Sequence, residues 1–264
     1  MTTKTTAADP PGGFGAQRDA RKKETVTALG PVGQQMTQRH AAAAVLVVGG
    51  LIFFLAEFIA AAAWTNPPYS YTYHYISNLG VHGPSEGFGQ FMYSPLAWVM
   101  NTGFVLFGIT LFIGTAILKG MRGRRRLAAL LPAFLLAVGG VLLGFFPGSG
   151  EVPDSGAVDF HSLGALAGIV GGNVLVIMLG CLHRYVGITQ KTGRAMVVLG
   201  VLGLISLVGF LAVAGSEANL IGLVERCAVY PVLIGPICAG VSIWKHTTPD
   251  ASGRSRRGSH TEDA

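Results

Sequence analysis

Charge is scarce in this sequence and cysteine scarcer. Only 12% of the 264 residues are charged, about half the share of an ordinary soluble domain, so a soluble globular class is excluded. The three cysteines, Cys181, Cys227 and Cys238, fall in or at the ends of apolar segments without a C-x-x-C spacing. No disulfide framework is implied, and they read as small buried hydrophobes. There is no G-x-S-x-G elbow, no phosphate-cradling Gly-rich motif between strand and helix, no H-E-x-x-H or H-x-x-x-H pair and no internal repeat. These absences remove the common signatures of a hydrolase, a nucleotide site and a zinc site.

What is present is apolar. Half of the residues are hydrophobic, 38 are glycine, and the mean hydropathy is +0.51. The run from Ala41 to Trp64 is long enough to cross ~30 Å of hydrocarbon at ~1.5 Å per residue. Five more follow, at about 95–118, 127–146, 160–182, 195–215 and 221–244. The reading is an all-α, polytopic membrane protein with a six-helix bundle over 39–246. Residues 1–38 and 247–264 have no helical or strand period and read as disordered tails. A signal h-region is shorter and nearer the terminus than the first span, so cleavage after its alanines is not expected.

The net charge of +6 would suggest nucleic acid in a soluble protein, but its distribution excludes that partner. The N-terminal tail, the connections at 119–126 and 183–194 and the C-terminal tail hold every Lys and Arg except Arg226. By the positive-inside rule both termini lie on the cytoplasmic side of the cell membrane. The opposite face carries Glu151, Asp154, Asp159 and Glu217, with His74, His82 and His161.

Between the first two spans lies the run P-P-Y-S-Y-T-Y-H-Y-I-S-N-L-G (67–80). Its four tyrosines suit a headgroup layer, and Tyr73, His74, Ser77 and Asn78 combine polar and titratable groups. It reads either as a binding loop or as an aromatic belt alone. In the fourth span Gly164, Gly168 and Gly172 form a small-residue stripe, which predicts close helix contact, a central position and poor tolerance of Gly168→Leu. His161 lies near that stripe and is expected to face the bundle; a local cap is the plain alternative. Glu57 lies ~10 Å inside the first span, and Arg226, beside Glu225, sits just inside the last. An ion pair across the bundle is expected, with Glu57 or Asp159 as the acid; snorkelling to headgroups is the alternative. Asn101 and Asn173 read as interhelical hydrogen-bond partners, and Pro132, Pro231 and Pro236 interrupt helices. A metal set of His74, His82, Asp159 and His161 lacks ligand spacing, so no metal and no cofactor is expected.

At Y-H-Y-I-S-N-L-G (73–80), F-F-P (145–147), D-F-H-S-L-G-A (159–165) and G-L-V-E-R (222–226) the chain resembles a prokaryotic six-span membrane family known as domain of unknown function nine-nine-eight. The likeness covers about 40–245. A more distant one, to the Frag, DRAM and Sfk membrane proteins, rests on their I-S-D-x-G run, where this chain has Asn78. The resemblance implies no chemistry, only that Ser77, Asn78, Gly80, His161, Glu225 and Arg226 belong to one outer site.

Three functions are open at this stage. The first is binding of a membrane lipid or small amphiphile by Glu57, Tyr73, His74, Ser77, Asn78, Asp159, His161, Glu225 and Arg226. The second is a membrane-embedded hydrolase or transferase in which His161 or His74 is the general base, Asp159 orients it and Arg226 holds an anion. The third is a small transporter, for which buried charges are few.

Overall fold

The computed structural model describes residues 31–87, 89–148, 158–214 and 219–247. The basic segment before residue 31, Glu151, Asp154, Glu217 and the tail beyond 247 lie outside the described residues. Seven α-helices are found among them: α1 (Pro31–Ala63), α2 (Ala97–Ile117), α3 (Arg124–Phe145), α4 (Phe160–Cys181), α5 (His183–Val186), α6 (Gln190–Val213) and α7 (Ile221–Thr247). All but the single turn α5 are long and apolar enough to cross a membrane. The protein is thus a multi-pass, six-span helical bundle.

The spans form a closed ring, α1–α2–α3–α4–α6–α7, with α7 returning to α1 and α4 also touching α7 across the ring. Two spans, α4 and α7, have three neighbours each and touch across the ring, so α4 holds a central position together with α7. The contacts differ from the expected ones, however. A Cβ on Gly139 of α3 would strike the backbone of Gly164 and Gly168, and one on Gly172 would strike Val232 of α7. A Cβ on Gly168 itself would meet nothing within 4 Å. The expectation for Gly168→Leu is therefore corrected: the close approach is made by Gly139, while Gly168 turns its open side to a cavity.

Three further expectations are corrected, and the connection between the first two spans is better defined. Helix α1 begins at Pro31, inside the segment read as tail, because proline is suited to a first helical position and helix-forming residues follow it. The prolines do not break their helices: Pro132 lies within α3, and Pro231 and Pro236 within α7, as membrane helices tolerate. Cys181 and Cys227 lie exposed on the bundle surface and Cys238 is partly buried, since each span has a face turned outward. The connection of 64–96 is not purely irregular. It contains a 3₁₀ turn, Ser77–Gly80, and a hairpin of β1 (Ser85–Gly87) and β2 (Gln90–Met92), with Ser85 opposite Met92 and Gly87 opposite Gln90. It folds over one end of the bundle, called here the loop end; the basic connections are at the other.

Candidate functional site

Two adjacent residues of α7, Glu225 and Arg226, organise the loop end, and they face different ways. Arg226 is 4% exposed and Glu57 0%, and they form the expected ion pair: Nη2 lies 3.0 Å and Nε 3.1 Å from Glu57 Oε1. Tyr230 also donates to that oxygen, at 3.2 Å. The remaining guanidinium hydrogens go to the loop. Nη1 donates to the carbonyls of Tyr71 (2.6 Å), His74 (3.2 Å) and Gly222 (3.0 Å), and Nη2 to the Tyr69 hydroxyl (2.6 Å). The Tyr71 ring lies 4.8 Å from the guanidinium carbon, close enough for a cation–π contact. Every donor of the fork is thereby used.

The loop lies close because Gly222 allows it to. A side chain there would strike the His74 carbonyl, and the next amide, Leu223 N–H, donates to Thr72 O at 3.1 Å. This bond supplies one of the orphan amides at the start of α7 with a partner. His74 packs inside the cluster: its ring stacks on Tyr69 at 5.2 Å, and its Nδ1 accepts from Ser70 N–H at 2.9 Å. Burial, and then the Arg226 charge, hold this imidazole below the ordinary histidine range. Burial pushes the Tyr69 hydroxyl well above the ordinary tyrosine range, so it keeps its hydrogen and donates to Tyr75 O at 3.0 Å. Tyr73 and Asn78 are tied together by Gln90: its Nε2 donates to Tyr73 O and its Oε1 accepts from Asn78 Nδ2, both at 2.6 Å.

Glu225 faces the other way. It is 8% exposed, and its Oε2 accepts from Ile76 N–H at 2.5 Å, just before the 3₁₀ turn. Beside it are two spaces. A crevice of about 300 Å³ opens at the loop end between α4, α6 and the 75–78 segment, with Tyr75, Ser77, Asn78, His161, Ser162 and Glu225 as its polar lining. Exposed Leu166 and Leu211 form part of its rim. A narrower cavity of about 60 Å³ lies inside the bundle among Phe53, Phe104, Phe107, Leu136, Gly168 and Val232. Ser77, Ala165, Ile169 and Glu225 line both.

His161 faces the crevice. Its Nδ1 lies 2.9 Å from Phe146 O, and a carbonyl only accepts, so Nδ1 carries the hydrogen and Nε2 is the acceptor of the neutral ring. Asp159 does not orient it. Its carboxylate caps α4, accepting from Ser162 N–H at 3.0 Å and from the Ser162 hydroxyl. Burial opposes ionisation there, but the Ser162 bonds outweigh it and hold Asp159 below the usual carboxylate range. Asp159 is thus not Arg226's partner, and the base-orienting role drawn for it has no counterpart in the geometry. His74, His82, Asp159 and His161 form no metal-ligating group among the described residues.

The nine expected residues therefore divide between two places. Glu57, Tyr73, His74 and Arg226 belong to the packed cluster; Ser77, Asn78, His161 and Glu225 line the crevice, with Asp159 behind Ser162. Sequence reasoning missed Gln90 and Tyr230, polar residues with no distinguishing spacing, and all the apolar residues around the inner cavity. No curated protein and no solved structure matched the chain. Residues 47–242 match the family described as Protein of unknown function (DUF998), and the chain belongs to that family.

Proposed function

We propose that this membrane protein binds a lipid or other small amphiphile, with the polar head in the crevice beside Glu225 and the tail in the cavity beneath. The observation that carries the reading is the pairing of an apolar space with a polar one across a four-residue common wall. Apolar walls with a few convergent polar groups are what ligand pockets are made of. The inner cavity is narrow, which favours one chain over two. From Glu225 to Val232 it descends seven residues of α7, ~10 Å at ~1.5 Å per residue. The charge asymmetry supports an outer-leaflet position in the cell membrane, with both termini cytoplasmic.

A twelve-carbon alcohol carrying a diazirine near its tail end tests the reading in bilayer nanodiscs. The expected adducts are on Phe104, Phe107 or Leu136, and Gly168→Leu, which fills the cavity, removes them. Adducts confined to outward-facing residues such as Leu106 and Phe134, unchanged by Gly168→Leu, would overturn it. Orientation has its own test. A cysteine at Ser85 is expected to label from outside intact cells and one at Gly123 only after permeabilisation; the reverse pattern would invert the topology.

A further inference from the structure

The polar half of the pocket has an acid and acceptors but no cation. We infer that its ligand is a single-chain amphiphile with a protonated amine head group, held by the Glu225 carboxylate with His161 Nε2 as a second acceptor. This rests on the amphiphile reading above and specifies its head group.

Three observations lead there. First, Glu225 is 8% exposed and has no ion-pair partner among the described residues; its carboxylate is met by the backbone N–H groups of Ile76, at Oε2, and of Ser77. A carboxylate so enclosed is stabilised by a cation brought to it. Second, the nearest cation is not available. Arg226 directs its guanidinium to Glu57 and distributes its donors among Tyr71, His74, Gly222 and Tyr69. Third, no other basic side chain is near: 64–96, 146–159 and 214–220 contain no Lys or Arg, whereas Glu86, Glu151, Asp154, Asp159 and Glu217 fall in them.

Helix N-termini are the usual alternative source of attraction for an anionic head, and three of them reach the loop end, at α2, α4 and α7. The first turn of α2 contributes nothing to the crevice lining, and the other two are already engaged. The α4 terminus is capped by Asp159 through Ser162 N–H, and at α7 Leu223 N–H is given to Thr72 O. A carboxylate or phosphate head placed in the crevice would face Glu225 without a compensating donor of charge, while an ammonium would find an acceptor on each side.

The test uses the full chain in nanodiscs of zwitterionic phosphatidylcholine near pH 7. Dodecylamine, dodecanol and dodecanoate each compete with the diazirine alcohol for labelling inside the cavity, at equal mole fraction in the bilayer. The amine is expected to compete at least about tenfold more strongly than the alcohol, and dodecanoate least, as one charge contact in a poorly solvated site would give. Glu225→Gln keeps an acceptor for Ile76 N–H and is expected to reduce the amine to the level of the alcohol measured on the same variant. If dodecanoate competes as well as the amine, or if folded Glu225→Gln leaves the order intact, the head-group assignment is wrong and the pocket stands. If none of the three competes and Gly168→Leu leaves labelling unchanged, the amphiphile reading itself fails. Should Glu225→Gln not fold, the order of the three competitors on the unaltered protein decides alone.

Discussion

Arg226 and Glu225 are consecutive residues at the same depth, yet one is surrounded by partners and the other by space. On the Arg226 side, five hydrogen-bond acceptors, one of them the buried acid Glu57, converge on a single guanidinium. On the Glu225 side, two backbone amides, those of Ile76 and Ser77, meet the carboxylate, no cation pairs with it among the described residues, and two hollows open beside it. A saturated guanidinium of this kind fixes geometry and has no donor left for anything else, and the one Glu57 oxygen without a hydrogen-bond partner, Oε2, is fully buried. The side with unused polar capacity and missing volume is where a ligand would gain most. Buried charge thus marks structure on one face of α7 and, in the reading proposed above, a ligand site on the other.

The largest expected effect would come from breaking the saturated side. Arg226→Met leaves Glu57 buried without its partner and is expected to cost about 3–5 kcal/mol in reversible unfolding. Adding Glu57→Gln is expected to restore part of that loss, because no uncompensated charge remains. Simple additivity of the two would mean that the pair is not the unit described. Protein that still folds as the double variant is expected to bind the diazirine alcohol as before, since neither side chain lines the pocket.

The next effect separates two glycines one helix apart. Gly139→Ala forces α3 off the backbone of α4 and is expected to destabilise by about 1–3 kcal/mol, as overpacking does. Gly168→Ala, pointing into the cavity, is expected to be neutral or to stabilise by up to about 1 kcal/mol through helix propensity. Equal losses at both positions would show that the cavity closes in the membrane.

Much of the bundle was legible before any coordinates. Apolar runs of spanning length mark the six helices, and the common depth of Glu57 and Arg226 marks their pairing. The helical turns from Pro31 to His40 were hidden because they carry no apolar period. The hairpin was hidden because β1 and β2 are three residues each, too short to show a strand period. Asp159 was legible as an acid, but its spacing from Ser162 was not read as an N-cap, so a catalytic use was drawn from what is a helix start. The inner cavity has no local signal at all. It exists where Phe53, Phe104, Leu136 and Val232, from four helices, fail to fill the space left by Gly168, and such a shortfall appears only in three dimensions.

Smaller effects sharpen the comparison further. Glu225→Gln is expected to change unfolding stability by less than about 1 kcal/mol, because the amide oxygen still accepts from Ile76 N–H; a loss as large as that of Arg226→Met would make Glu225 a second clasp. The smallest effect is a pH dependence from His74. Its folded-state value is lowered by burial and then by Arg226, so the unfolded chain takes up the proton first. Stability from this group is present above the ordinary histidine value of 6.5 and is lost as the pH falls from there through the lowered folded value. His74→Gln is expected to flatten that part of the profile; an unchanged slope would assign it to another group.

The most direct test is an experimental density map of the protein in nanodiscs supplied with dodecylamine. The expected result is elongated density running from Glu225, with its head within hydrogen-bond distance of the carboxylate, into the space among Phe104, Leu136 and Gly168, while the Arg226–Glu57 pair is unchanged. A cavity closed by side chains, or amine density only on the outward face of the bundle, would contradict the assignment of function to the Glu225 side.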